Sequence, residues 1–223
     1  MIELDVPQYC PEWYFARLGM PTASQFSRIL TAKTRKLAAG SETYMHELLS
    51  EWLVGVPFGS DASGYMERGT QLEPEAVAWY EWENNVVTRE VGFCLRDDKR
   101  VGCSPDRLVG DDGGLEIKCP GAKGHVANML NMSDEYFAQV QGCLWITGRE
   151  WWSLVSYHPT IPSVIVRIER DEEYIGQLAN AVDEFLARLA AAREKLLAQG
   201  AQPATALDPE FAASIEISLP IGA

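Results

Sequence analysis

The stretch Cys103-Ser-Pro-Asp-Arg-Leu-Val-Gly-Asp-Asp-Gly-Gly-Leu-Glu-Ile-Lys-Cys119 decides the reading of this chain. Two short apolar runs flank Asp111-Asp112-Gly113. A three-residue connection of that composition favours a glycine in the left-handed region and folds one strand back on the other. With 111–113 as the loop, Gly110 faces Gly114, Leu108 faces Glu116 and Asp106 faces Lys118. Cross-strand partners share a face of the ribbon, as do residues two apart on one strand. Asp106, Glu116 and Lys118 then project from one side, and a one-residue slip would send Asp106 to the other.

Two carboxylates and a lysine converging on one face are costly unless a cation sits among them. Mg²⁺ suits such oxygen donors and keeps waters for chemistry, in this case attack on a phosphodiester. Lys118 is assigned to orienting the nucleophile and stabilising the transition state, because neighbouring carboxylates favour its charged form over a basic one. A blander reading stays open. Glu-x-Lys on a strand is commonly a solvated, ion-paired face, and Leu115, Ile117 and Cys119 alternate on the opposite side as that reading requires. Ser104-Pro-Asp106, across the hairpin signal, brings the chemical reading level with it and leaves both open.

Outward from this segment the pattern is helical before and mixed after. Residues 22–30 read as a short helix and 42–54 as another, followed by a Gly/Pro/Ser loop from Gly55 to Gly64 and a helix over 70–84. Strands are expected at 86–95, 101–109, 115–119, 151–157 and 163–169, with helices at 134–147 and 171–199. Residues 200–223 mix Ala, Pro and acids and read as a loosely attached tail of a single domain. The order predicts an α/β fold with a central mixed β-sheet flanked by helices.

Composition narrows the function classes. A net charge of -13 argues against a simple DNA-coating protein, whose affinity comes from basic residues, but not against an enzyme that admits DNA at a local site. Five cysteines without Cys-x-x-Cys spacing give little support to a disulfide framework or zinc cage, and a nuclease with an iron–sulfur centre would need four clustered ones. They read as buried thiols in a reducing compartment. The absence of a basic leader or a long apolar run points to a cytoplasmic protein with no membrane partner.

Other side chains carry two readings each. Glu73 fits a capping box, Thr70-Gln-Leu-Glu73, at a helix start. Gln139 fits a surface or core-edge amide. Arg17, Thr22 and Ser24, ahead of a helix, can grip an anion or simply cap. His46, His125 and His158 lack ligand spacing and read as structural.

Five segments occur in a telling order: Trp13…Arg17-Leu-Gly…Thr22-Ala-Ser24, Gly69-Thr-Gln-Leu-Glu73, Cys103-Ser-Pro-Asp106, Gly114-Leu-Glu-Ile-Lys-Cys-Pro120 and Tyr136-Phe-Ala-Gln-Val-Gln141. Together they resemble the phage lambda exonuclease family, the YqaJ-type viral recombination nucleases of the PD-(D/E)xK superfamily, from Trp13 to near Tyr174. The resemblance implies a restriction-endonuclease-like core and a Mg²⁺-dependent 5′-to-3′ exonuclease acting on double-stranded DNA ends. It implies release of 5′-mononucleotides, leaving a 3′ single-stranded tail. Asp106, Glu116 and the Ile117 carbonyl would hold one Mg²⁺ and Glu73 would serve a second, with Mn²⁺ able to substitute. Lys118 and Gln139 would position the water, while Arg17, Thr22, Ser24 and Ser104 would form a 5′-phosphate pocket. It also implies a homotrimeric ring around DNA, a phage single-strand annealing protein as partner, and a prophage origin in a bacterial host. The stretch Gly55–Arg68 matches poorly, leaving Tyr65 or Met66 as candidates for an apolar strand-splitting wedge. A restriction-like endonuclease with the same metal core and a non-catalytic, DNA-mimicking interaction protein are the rival functions.

Overall fold

Hydrophobic spacing sets the helices. The computed structural model describes residues 1–58 and 64–218. Its first half contains β1 (Ile2–Leu4), α1 (Pro11–Arg17), a 3₁₀ helix (Ala23–Arg28), α2 (Ser41–Val54), α3 (Gly64–Asn84), β2 (Thr88–Arg89), β3 (Phe93–Leu95), β4 (Gly102–Cys103) and β5 (Arg107–Val109). Then follow β6 (Gly113–Lys118), α4 (Ala122–Asn131), α5 (Ser133–Thr147), β7 (Trp151–His158), β8 (Ile161–Glu169), α6 (Glu172–Ala198) and α7 (Pro209–Ser218). In α2, Tyr44, Met45, Leu48 and Leu49 form one buried stripe, and Gly55 at φ +80° ends the helix. The Asp171 carboxylate caps α6 by accepting the Tyr174 N–H at 2.9 Å. The buried face of α6 stacks Phe185 on Tyr44, ring centroids 5.6 Å apart.

The main sheet runs β2-β5-β6-β7-β8, with β6 and β7 parallel and the other neighbours antiparallel. A parallel pair needs a crossover connection, and α4 and α5 fill it. On one face α3 packs Ala76, Val77 and Tyr80 against Val109, Leu115, Ile117 and Val155. On the other, residues of α2, α5 and α6 cover Leu108, Trp152 and Leu154. This is the expected α/β architecture, a mixed central sheet flanked by helices. No helix among the described residues is long and apolar enough to cross a membrane.

The structure departs from the sequence reading at several points. The hairpin pairs Arg107 with Leu115, Leu108 with Gly114 and Val109 with Gly113, two residues away from the expected register. The loop is therefore 110–112, and Gly110 rather than Gly113 takes the left-handed conformation, at φ +52°. Gly113 and Gly114 belong to the strand because the Trp151 and Trp152 rings lie against them, so that a Cβ would come within 2.1 and 2.3 Å of ring carbons. Arg149 fixes this arrangement, donating to the carbonyls of Gly110 and Gly113 at 2.9 and 2.6 Å.

Two expected strands are each broken and shared between sheets. The 86–95 run splits into β2 and β3, and 101–109 splits into β4 and β5, while β1, β3 and β4 form a separate three-stranded sheet. Gly92 lies so close to the Val6 carbonyl that a Cβ would be 1.7 Å from it, and Pro105 has no N–H to extend a ladder. The Gln8 amide pins both crossings, donating to the carbonyls of Val91 at 2.9 Å and Pro105 at 2.8 Å.

Residues 204–211, after α6, lie against α1 and the end of α2. Ala204 and Asp208 donate backbone N–H groups to Trp52 and Gly55, and Phe211 of α7 meets Tyr14 of α1 edge-on at 5.3 Å. Residues 59–63 of the expected Gly55–Gly64 loop lie outside the described residues, as do the side chains of Tyr65 and Met66, the expected wedge. Because Trp152 is fully buried, its ring has nowhere to retreat from an added methyl. Gly114→Ala is therefore expected to destabilise the fold by about 1–3 kcal/mol, seen as a lowered urea midpoint; an unchanged midpoint would show that the ring can yield.

Candidate active site

Asp106 occupies the second crossing between sheets. Its Oδ2 accepts the Ile117 N–H, which ties that crossing to the middle of β6 beside Glu116. Glu116 is only 4% exposed. One of its oxygens, Oε1, accepts from Lys118 Nζ at 2.7 Å and from Gln139 Nε2 at 2.7 Å. Lys118 Nζ also donates to Gln139 Oε1 at 3.4 Å and lies 4.9 Å from the Tyr136 ring centroid. Gln139 and Tyr136 come from α5, so the parallel crossover is what delivers them to the end of β6. Gln139 is thus neither a surface amide nor an idle core-edge one.

Glu73 arrives from α3. That helix begins at Gly64, so Thr70 lies inside it and the capping-box reading of Glu73 does not hold. The Glu73 carboxylate instead meets Arg107 at 3.3 Å. The capping reading of Thr22 and Ser24 fails as well. Thr22 stands at the N-cap of the 3₁₀ helix without a side-chain cap bond, and its hydroxyl lies 3.2 Å from that of Ser24. Arg17 stacks 3.9 Å over the Trp13 ring and donates to Ser104 Oγ at 3.3 Å, while Trp13 Nε1 donates to the same hydroxyl at 3.1 Å.

The residues assigned from the sequence to catalysis, cation binding and the 5′-phosphate all line one cleft of about 460 Å³: Arg17, Thr22, Ser24 and Ser104 in one group, Glu73, Asp106, Glu116, Ile117, Lys118 and Gln139 in another. A second chamber of about 460 Å³ shares the Tyr9–Trp13–Arg17 wall. The sequence reading missed Gln8 and Tyr9, which also line the cleft, and Arg107. Gln8 carries no local signal, because it reaches the cleft through contacts 83 and 97 residues away. Arg107, next to Asp106, could have been noticed.

The electrostatics are strained in one direction. Burial pushes the Asp106 carboxyl well above the usual range, and the neighbouring Glu116 and Glu73 carboxylates add to it. Glu73 is also raised by burial, with Arg107 pulling the other way. Burial works against the Lys118 ammonium, but Glu116 and Asp106 outweigh it and hold the group above its ordinary value. Lys118 is therefore a lasting cation, a donor rather than a base. Burial pulls Arg17 down, as it does any guanidinium with few acceptors, and this makes the Arg17 group a receptive place for an anion.

The donors fit a hard divalent cation. The second Glu116 oxygen, Oε2, is buried with no hydrogen-bond partner among the described residues. Carboxylates of Asp106, Glu116 and Glu73, with the Ile117 carbonyl, make an all-oxygen set of the kind Mg²⁺ takes. Among the described residues no three acidic, His or Cys side chains close into a ready cage. The fit is that of an open site completed by water and substrate.

A mixed sheet with an acid pair and a lysine at its open end places the chain among α/β folds shared with nucleases. It belongs to the YqaJ-like viral recombinase family, whose domain matches residues 12–150. An alkaline exonuclease from Laribacter hongkongensis is similar, with 37% identity, a TM-score of 0.76, and 85% of this chain and 97% of that one covered. The same figures hold for that exonuclease in complex with dAMP. A phage-related exonuclease from Haemophilus somnus, 16% identical with 78% of this chain and 96% of that one covered, shares the fold at a TM-score of 0.61. No curated protein sequence matches.

A raised folded-state pKa means that Asp106 lowers stability as pH climbs from the unfolded carboxylate value of about 3.9 toward the raised one. In EDTA the protein should lose stability over that interval. Asp106→Asn keeps an acceptor for Ile117 and removes one buried like charge. It should raise stability at neutral pH by about 1–3 kcal/mol and flatten the pH slope, both read by thermal melts. A mutant less stable than wild type in EDTA would show that the charge is already compensated.

Proposed function

We propose that this protein is a Mg²⁺-dependent 5′-to-3′ exodeoxyribonuclease that works inward from double-stranded DNA ends. It releases 5′-mononucleotides and leaves a 3′ single strand for phage-type recombination. One observation carries the reading: the carboxylate–lysine group and the Arg17–hydroxyl group share a single cleft. The Laribacter exonuclease taken in complex with dAMP, a nucleoside monophosphate, is in keeping with a product of that size.

In this mechanism Arg17, stacked on Trp13, grips the 5′-phosphate together with Thr22, Ser24 and Ser104. The terminal nucleotide then spans the cleft and presents the next phosphodiester to Asp106 and Glu116. Asp106, Glu116 and the Ile117 carbonyl would hold one divalent cation and Glu73 would serve a second, which when bound would supply an activated water and offset charge on the phosphate. Gln139 orients that water. Lys118 donates to the phosphate oxygens as charge builds on them. Water adds to phosphorus, the P–O3′ bond breaks, and the leaving 3′-oxygen takes a proton. Each cut leaves a new 5′-phosphate, so the product end is the next substrate. The exclusion of internal cutting follows from the same requirement for a terminal phosphate. On the family resemblance we further propose a ring-shaped homotrimer, a phage single-strand annealing partner and a cytoplasmic setting in a bacterial host.

End-labelled linear duplex, digested with Mg²⁺ or EDTA beside a closed plasmid, tests the reading. Labelled mononucleotide should leave the 5′ end first, only with Mg²⁺, and the closed circle should survive; a nicked or linearised circle would establish an endonuclease instead. Glu116→Ala should cut nucleotide release by about 10³-fold or more while circular dichroism stays native. Turnover near wild type in that mutant would remove Glu116 from the chemistry. Arg17→Ala should reduce the preference for 5′-phosphate over 5′-hydroxyl ends by about 10- to 100-fold, the worth of one charge-assisted hydrogen bond or two. An unchanged ratio would move the phosphate pocket elsewhere.

A further inference from the structure

Arg107 has a place in the site that the mechanism above does not use. Its Nη1 donates to the Asp106 carbonyl at 2.6 Å, which fixes the root of the guanidinium to the sheet crossing. The same nitrogen meets Glu73 at 3.3 Å, and Nη2 meets Glu90 at 3.0 Å. Arg107 and Glu73 are largely buried, whereas the Glu90 side chain is 83% exposed. One guanidinium is thus shared between a carboxylate of the cleft and a carboxylate in water.

The charge count gives this sharing a consequence. In the ionised form that a cation would require, Asp106, Glu116 and Glu73 bring three negative charges to the site, and Lys118 and Arg107 return two positive ones. The remainder is a single negative charge. One divalent cation already turns it to a single positive, and a second would leave three positive charges in a poorly screened cleft. Glu90, standing in water, is screened and does little to offset them. An incoming DNA phosphate would.

We infer that Arg107 is a charge lock on Glu73, holding that carboxylate against a second divalent cation until a DNA phosphate enters the cleft. The inference rests on the metal-dependent reading above. Arg107 is a positioning residue: it acts through Glu73, and Glu90 offers the guanidinium a partner when Glu73 turns to the cation. Cation stoichiometry then depends on substrate, and cleavage chemistry is assembled only when there is something to cut.

Titration of the protein with Mn²⁺, followed by the electron paramagnetic resonance signal of the free ion, reads this without turnover. It is run alone and with a 5′-phosphorylated duplex whose terminal linkages are phosphorothioates. Wild type should bind one Mn²⁺ per chain alone and two with the duplex. Arg107→Gln should bind the second ion without DNA, on the order of tenfold more tightly than wild type does alone. Arg107→Lys, which keeps the charge, should restore the dependence on DNA. Two ions bound by wild type without DNA would overturn the inference while sparing the metal-dependent reading, and this outcome needs no variant to fold. A glutamine variant identical to wild type would overturn it too, leaving Arg107 a merely structural link. No Mn²⁺ bound in either condition would sink the metal-dependent reading itself, and this inference with it.

Discussion

Crowding of like charge among largely buried carboxylates is the constraint on which this structure turns. Asp106, Glu116 and Glu73 approach from three different parts of the chain, and burial favours the neutral forms of Asp106 and Glu73. Lys118 and Gln139 answer on one Glu116 oxygen, leaving the other without a partner among the described residues. The fold can hold such an arrangement only because each carboxylate is anchored by something rigid. Asp106 is bound to the backbone of β6, Glu116 lies within β6, and Glu73 is carried on a long helix packed across the sheet. Strain of this kind is found where a protein is built for a ligand rather than for its own stability.

How far the residues announced this can be argued position by position. Asp106, Glu116 and Lys118 were expected on one side of a ribbon, and the cleft receives all three. The expected register was nevertheless wrong by two residues. The error did no harm because side chains alternate with a period of two, so that an even slip keeps every face. What misled the reading was Gly113, an obvious turn glycine in isolation. Its true reason is the Trp151 ring that lies against it, and no local pattern contains that ring. The helices were legible because their apolar stripes repeat within a few residues, as Tyr44, Leu48 and Leu49 do. The division of two strands between sheets was not, since it depends on Gly92 meeting Val6 and on Gln8 meeting Pro105. Glu73 shows the limit of a motif: Thr70-Gln-Leu-Glu73 has the letters of a capping box, and a helix begun six residues earlier empties it of meaning.

Kinship supplies a second measure. The Haemophilus somnus exonuclease keeps the fold at 16% identity, so few particular residues are needed to specify it. Alternation along β6, an apolar stripe on each covering helix and a crossover long enough to make β6 and β7 parallel are sufficient constraints. The conspicuous residues of the cleft serve another purpose and are concentrated where the sheets part. Pro105 has a role in both accounts. It ends one ladder, and in doing so it turns Asp106 out of regular structure into the cleft.

The Gln8 amide has a consequence for the order of assembly. It bridges residues 83 and 97 positions away in the chain, and the N-terminal strand pairs with residues equally remote. The contacts of β1 and Gln8 therefore close only when residues 91–105 are in place. Loop-closure entropy of that size slows productive collapse, and unpaired edges stay open in the interval.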